Sequence, residues 1–221
     1  MAKNGLEACY IRPMVMRGFG AAGMVPFDSP VEVYLPCWEW GAYLGDGALE
    51  EGVDACISSW HRGTEHDPGH GEDGGQLPQR NADQDGGAGQ RFRRGDRAGP
   101  DGRLSEGSGQ NVFVVSRGVL YTPPFNGTLL AGITRDSVLT LANDLGIGVR
   151  EQEMPRESLY AADEMFLTGT ASEVTPVRSL DRIRIGNGRR GPVTETVQRR
   201  YLDIARGTAP DTHRWLTGPV R

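Results

Sequence analysis

The chain has 221 residues, with 37% hydrophobic and 24% charged content and a net charge of -5, the composition of a globular protein of one large or two small domains. The acidic balance argues against nucleic acid or an anionic membrane as the main partner, and no apolar run is long enough to span a bilayer. Cys9, Cys37 and Cys56 form no CxxC pair and leave an odd thiol, which suits a reducing compartment, so a cytoplasmic location is expected.

In chain order, strands are expected at Cys9 to Met16, Val31 to Leu35 and Val53 to Trp60, separated by Gly, Pro and Asp turn signals. A gap follows. Between Gly63 and Ala98 there is no Val, Ile, Met, Cys, Trp or Tyr. This low hydrophobicity and high Gly and charge content predicts disorder. Its Glu65, His66, His70, Glu72 and Asp73 complete no zinc-type spacing, and Arg91 to Arg94 is too short for a nucleic-acid patch, so no metal is expected.

Beyond the gap, Asn111 to Val115 and Val119 to Thr122 flank Ser116-Arg117-Gly118, the residue types of a hairpin turn. From Thr134 to Leu145, Val138, Leu141 and Leu145 fall on one helical face and Gly146 follows the last turn. A strand at Ile147 to Glu151, a helical turn from Pro155 to Tyr160 and a strand at Met165 to Thr168 come next. Val193, Val197, Tyr201 and Ile204 space a last amphipathic helix that stops at Gly207.

Three stretches carry candidate chemistry. Ser105 to Asn111 (SEGSGQN) places a carboxylate between small residues before a strand, where backbone can approach a flat ligand; taken alone it reads as a turn. Gly132 to Asp136 (GITRD) opens the central helix, whose free N–H groups suit a phosphate, although Thr134 as a simple N-cap explains the same residues. Thr168 to Glu173 (TGTASE) offers hydroxyl and amide donors at a strand exit, a common arrangement in itself.

The ordered set of WEWGAYLG (Trp38 to Gly45), SSWHR (Ser58 to Arg62), SEGSGQN, LYTPP (Leu120 to Pro124), GITRDS, TGTASEVTPVRS (Thr168 to Ser179) and GRRGPVT (Gly188 to Thr194) resembles the class IV pyridoxal-phosphate (PLP) aminotransferases. Within that class it is similar to the branched-chain amino acid aminotransferases; D-amino-acid transaminase and aminodeoxychorismate lyase are alternatives on the same fold. The resemblance implies an α/β (mixed α+β) protein of PLP fold type IV, normally two-domain and homo-oligomeric, acting on small amino acids and 2-oxo acids.

It also implies roles. Glu106 would face the pyridine nitrogen of pyridoxal 5′-phosphate. Ile133 and Thr134 N–H groups and the Thr170 hydroxyl would hold its phosphate. Thr170 and Ala171 amides would meet the substrate α-carboxylate, and Arg12, Tyr43 and Trp40 would line the substrate side. Gln110 stands where the family more often has Glu. Family members begin well before the residue matching Met1, so most of the N-terminal domain is expected to be missing. The division implied is 1–62, a remnant of that domain; 63–100, an aberrant segment; and 101–221, the cofactor-binding domain.

In the family the Schiff-base lysine follows SSW.R in a segment of the type APNTIP..AK..(G/A)NYL. The only lysine of this chain is Lys3, and the expected position falls at Glu72/Asp73, so no catalytic residue is assigned. Read one nucleotide later, the codons of Gly63 to Pro78 permit A-P-N-T-I-P-A-M-A-K-T-A-A-N-Y-L. Two compensating frame changes, near Arg62 and Gly99, are the expected cause. Without the lysine, turnover is expected to be negligible, leaving a non-catalytic remnant or binding protein as the other reading.

Overall fold

The computed structural model describes residues 2–20, 27–41, 44, 47–61, 94–98 and 103–218, with backbone alone at 2, 58–61 and 94–98. It divides into two compact units, Met1–Tyr43 and Leu44–Arg221.

In the first unit Pro13 interrupts what the apolar pattern presents as one strand. A proline has no N–H for a ladder, and the run becomes β1 (Tyr10–Ile11) and β2 (Met14–Arg17), which belong to different pairs. β2 pairs antiparallel with β3 (Val31–Tyr34), Val15 opposite Val33, and β1 pairs with β4 (Cys37–Trp38). The β2–β3 ribbon leaves apolar side chains in solvent, with Val15 70% and Val33 64% exposed.

The second unit starts with a single helical turn, α1 (Ala48–Glu51), and runs into β5 (Val53–His61), whose Val53, Ala55 and Cys56 are buried. β6 (Arg94–Ala98) and β7 (Leu104–Gly107) follow, then β8 (Asn111–Ser116) and β9 (Val119–Thr122). Helix α2 (Ile133–Asp144), β10 (Val149–Glu151), a 3-10 turn (Arg156–Ala161), β11 (Glu164–Gly169), β12 (Glu173–Leu180), β13 (Ile183–Arg184) and α3 (Pro192–Ala205) complete it. One mixed sheet runs β10-β9-β8-β11-β12-β5-β6-β7, with β13 attached to β12. β7 lies at one end of this order and β8 near the other, yet three residues join them, with Gly107 N–H donating to Gln110 O at 2.7 Å. The sheet therefore curls on itself.

The β8–β9 hairpin turns through Arg117 (φ 51°) and Gly118 (φ 74°), the two left-handed residues of a type I′ turn. Phe113, Val115, Phe166 and Val174 from one sheet face pack with Val138 and Ala142 of α2 and Val197 of α3. Phe113 and Phe166, opposite one another on β8 and β11, stack at 5.0 Å. Gly146 (φ 70°) ends α2 and Gly207 (φ 72°) ends α3. Leu145, expected on the buried face, is 39% exposed because it stands at the C-cap, beyond the last packed turn.

Three strands depart from the sequence reading. Leu104–Gly107 is a fully buried strand, and only Ser108–Gln110 turns. Glu173–Leu180, beyond the strand exit read at Thr168 to Glu173 and assigned no element from the sequence, is the eight-residue strand β12, antiparallel to β11 and parallel to β5. Inside the segment expected to lack structure, the backbone of Arg94–Ala98 pairs with β5 and β7. A ladder is made of main-chain groups, which an apolar-poor sequence also supplies. The rest of 63–100 lies outside the described residues.

Candidate functional site

Glu106, third residue of β7, is a carboxylate only 5% exposed. Burial of a charge requires donors, and its Oε2 accepts from Leu130 N–H at 2.8 Å and Asn111 Nδ2 at 3.3 Å. Asn111 Nδ2 also donates to Leu130 O at 2.8 Å. Leu130 leads through Ala131 and Gly132 directly into α2, so the carboxylate and the helix start are held by the same short segment.

The two long helices differ at their N-termini. At α3, Glu164 reaches across from β11 and accepts from Val193 N–H (3.0 Å) and Thr194 N–H (2.7 Å). At α2 the N-cap is Gly132, which has no side chain to cap with, and among the described residues no side chain accepts from the Ile133 or Thr134 N–H. Thr134 is therefore not a self-sufficient N-cap. It is the second residue after the cap, within the first turn, with its hydroxyl engaging Tyr201. Burial pushes the Tyr201 phenol above its ordinary pKa, and the Thr134 hydroxyl acts in the opposite sense. Helix geometry leaves the first N–H groups of α2 facing outward with a partial positive charge. That end suits an anion.

The third part is the β11–β12 hairpin. Gly169 pairs with Glu173 across Thr170, Ala171 and Ser172, and Glu173 takes a left-handed φ of 51° to close it. Thr168, the residue before, pairs with Asn111 on β8, which places the hairpin at the same end of the sheet as Glu106. Thr170 is exposed and Ala171 half-buried, so both are reachable by a ligand. The hairpin packs closely on the β7–β8 turn: a Cβ on Gly169 would lie 2.8 Å from Ser172 Oγ and 3.4 Å from Gly109 O.

Around these two turns Ser108 Oγ, Gln110 Oε1, Thr168 Oγ1 and Ser172 Oγ are buried and find no hydrogen-bond partner among the described residues. Such groups are rare in folded proteins unless a water or ligand serves them. A buried carboxylate, an uncapped helix start and, near the same two turns, three hydroxyls and an amide oxygen without a partner fit a flat cofactor with a basic ring nitrogen and a phosphate. The structure thus gathers Glu106, Ile133, Thr134, Thr170 and Ala171, all expected from the sequence. Asn111, Thr168 and Ser172 were not singled out; they lie inside the quoted motifs, but only the strand register reveals their placing.

In the first unit Tyr10, Trp38 and Trp40 form an aromatic cluster with ring centroids 4.5 to 5.3 Å apart. Arg12 lies 5.6 Å over the Tyr10 ring and donates to its hydroxyl at 3.3 Å. Arg12 and Trp40, expected at the substrate side, both contact Tyr10, which the sequence did not single out. Tyr43 and Glu72/Asp73 lie outside the described residues. Among the described residues no group of three or more His, Cys, Asp or Glu is placed to hold a metal ion, and no helix is long and apolar enough to cross a membrane.

The pattern of the family described as Amino-transferase class IV matches residues 1–180. The chain is 43% identical over 221 residues to a branched-chain-amino-acid aminotransferase of Escherichia coli (strain K12), covering 97% of this chain and 70% of that protein. It is 40% identical to the enzyme of the same name from Pseudomonas aeruginosa, with the same two coverages. Among solved structures, the Escherichia coli branched-chain amino acid aminotransferase superposes with a TM-score of 0.92 at 42% identity, over 97% of this chain and 71% of that one. The branched-chain amino acid aminotransferase of T.th. complexed with N-(5′-phosphopyridoxyl)-L-glutamate gives 0.89 at 37% identity, over 98% and 70%. The fold is that of the fold type IV aminotransferases, and the chain belongs to the class IV aminotransferase family, within its branched-chain-amino-acid aminotransferases.

Proposed function

We propose that this chain carries the cofactor and substrate sites of an enzyme that moves the amino group of Leu, Ile or Val to 2-oxoglutarate, but lacks the residue that completes catalysis. The observation that supports this most is the uncapped start of α2 beside a buried Glu106 that Leu130 and Asn111 hold in place. When bound, pyridoxal 5′-phosphate supplies a carbonyl that carries the amino group and a ring that withdraws electrons. Glu106 keeps the ring nitrogen protonated. Ile133 and Thr134 N–H groups and the Thr170 hydroxyl hold the phosphate. Thr170 and Ala171 amides orient the substrate α-carboxylate. Arg12 and Tyr43 take the distal carboxylate of glutamate, with Trp40 as apolar wall. One relative, the T.th. branched-chain amino acid aminotransferase, complexed in one structure with N-(5′-phosphopyridoxyl)-L-glutamate and in another with 4-methylvaleric acid, supports ligands of these chemistries.

The missing part is an uncharged primary amine at the cofactor carbonyl, which also moves the proton at the substrate Cα. Lys3 is the only lysine, and carboxylates or imidazoles in 63–100 cannot form that bond. The chain as written therefore holds the cofactor without covalent attachment and turns over negligibly. The lysine permitted by the offset reading of Gly63 to Pro78 supports a frame change in the gene or its reported sequence. Resequencing tests this: an uninterrupted reading of the present residues, matched by peptide masses across Gly63 to Ala98, refutes a sequencing artefact. The division into 1–62, 63–100 and 101–221, a cytoplasmic location and homo-oligomeric assembly belong to the same reading. Titration of the purified protein with pyridoxamine 5′-phosphate tests the site itself. Saturable binding that Glu106→Gln and Thr170→Ala weaken is expected, and no binding refutes the reading.

A further inference from the structure

We propose that Asn111 is a positioning residue for the cofactor ring, acting through Glu106; this rests on the reading of the cofactor site above. Asn111 opens β8 and is 5% exposed. Its amide nitrogen has two hydrogens, and both are directed: one to Leu130 O at 2.8 Å, one to Glu106 Oε2 at 3.3 Å. Leu130 N–H gives the same Oε2 a second hydrogen bond at 2.8 Å. The Asn111 amide and the Leu130 peptide thus pair through one bond, and each donates to one carboxylate oxygen.

This arrangement bears on a torsion with weak preferences of its own. The last torsion of a glutamate has broad, roughly two-fold preferences, so a buried Glu held by one donor can still swing its oxygens. Two donors converging on Oε2 fix that oxygen, and with it the direction in which the carboxylate plane faces. The ring nitrogen needs that direction, because a charge-assisted hydrogen bond weakens steeply away from linearity.

The other end of the amide is equally confined. Asn111 Oδ1 sits so close to Gly132 that an added Cβ there would lie 2.2 Å from it. The amide cannot flip without placing its NH2 against Gly132 and abandoning both acceptors. Aspartate has the same shape but would set a second carboxylate beside Glu106, and alanine removes the donor.

The test is a double-mutant cycle on the full chain, read as pyridoxamine 5′-phosphate affinity from fluorescence titration, with inorganic phosphate as a second probe. Asn111→Ala is expected to weaken pyridoxamine 5′-phosphate about tenfold, the scale of one hydrogen bond to a charged group, and to change inorganic phosphate affinity less than about threefold. In a Glu106→Gln background the same substitution is expected to cost less than about threefold, because the carboxylate it orients is gone. Asn111→Asp fills the same volume and provides a second cycle with the same expected non-additivity if the alanine variant does not fold. A purely structural role would give equal losses in both backgrounds and would lower phosphate binding too; either result overturns the inference. If the unsubstituted chain binds neither probe, the cofactor reading fails and takes the inference with it. If it binds pyridoxamine 5′-phosphate and Glu106→Gln weakens it while both Asn111 variants do not, the inference alone fails.

Discussion

Gly132 at the start of α2 has φ -68° and ψ 135°, a backbone that alanine adopts without strain. Its lack of a side chain is explained by contact: a Cβ would lie 2.2 Å from Asn111 Oδ1 and 3.4 Å from Asn111 Cγ. Gly132→Ala should therefore push the Asn111 amide from its place. The amide's bond to Leu130 O, at 2.8 Å, contributes about 1 kcal/mol, and its long bond to Glu106, at 3.3 Å, contributes about another 1 kcal/mol. Leu130 O still accepts from the Gly132 N–H at 2.8 Å, so no carbonyl is left unpaired, and the stiffer unfolded chain of an alanine offsets about 0.5 kcal/mol. The net expectation is a loss of about 1.5 kcal/mol in urea denaturation, with an unchanged m-value. Gly109→Ala is the control: nothing lies within 4 Å of a Cβ at that position. A Gly132→Ala loss below about 0.5 kcal/mol, or no larger than the control, would refute the claim that Asn111 is wedged between Gly132 and Glu106.

At the other helix start, Glu164 serves the Val193 and Thr194 N–H groups with one oxygen each, at 3.0 and 2.7 Å, and Glu164→Gln sets an NH2 donor against one of them. A stability loss of about 2 kcal/mol in the same urea assay is expected. Burial raises the Glu173 carboxyl above its ordinary value of 4.5, against the pull of Arg206. The folded state then binds the proton more tightly than the unfolded one, so this group lowers stability as pH rises from the ordinary carboxylate range upward. Glu173→Gln should be more stable than the parent at neutral pH, with the difference vanishing below pH about 4; a pH-independent difference in melting temperature would contradict this. Burial, then the hydrogen bond to Asp181, raises the Tyr160 phenol, so Asp181→Asn should bring its spectrophotometric titration to lower pH.

Much of the second unit is legible in its sequence because one physical signal dominates each element. Val138, Leu141 and Ala142 repeat at helical spacing and are all fully buried. Arg117-Gly118 supplies the two left-handed positions of its hairpin. Where two signals compete, reading fails. Pro13 splits an apolar run, and β7 hides behind the small residues of SEGSG. β12 contains Pro176 and several polar residues, so no alternation marks it; its pairing with β11 and β5 supplies what propensity does not. The site shows the same division. Glu106, Thr134 and Thr170 stand out as motif residues, but Asn111 gains its role only from strand register and from the approach of Gly132. The α2 start also becomes distinctive only when Glu164 is seen to occupy the α3 start.

The claim on which the rest depends is that this chain offers a cofactor site without the amine that links to it. Incubation with pyridoxal 5′-phosphate, borohydride reduction and peptide mapping by mass spectrometry measures this directly. The expected result is saturable but dialysable binding and no stoichiometric phosphopyridoxyl mass on any single peptide. One adduct per chain, confined to a single peptide and accompanied by leucine and 2-oxoglutarate turnover, would contradict it.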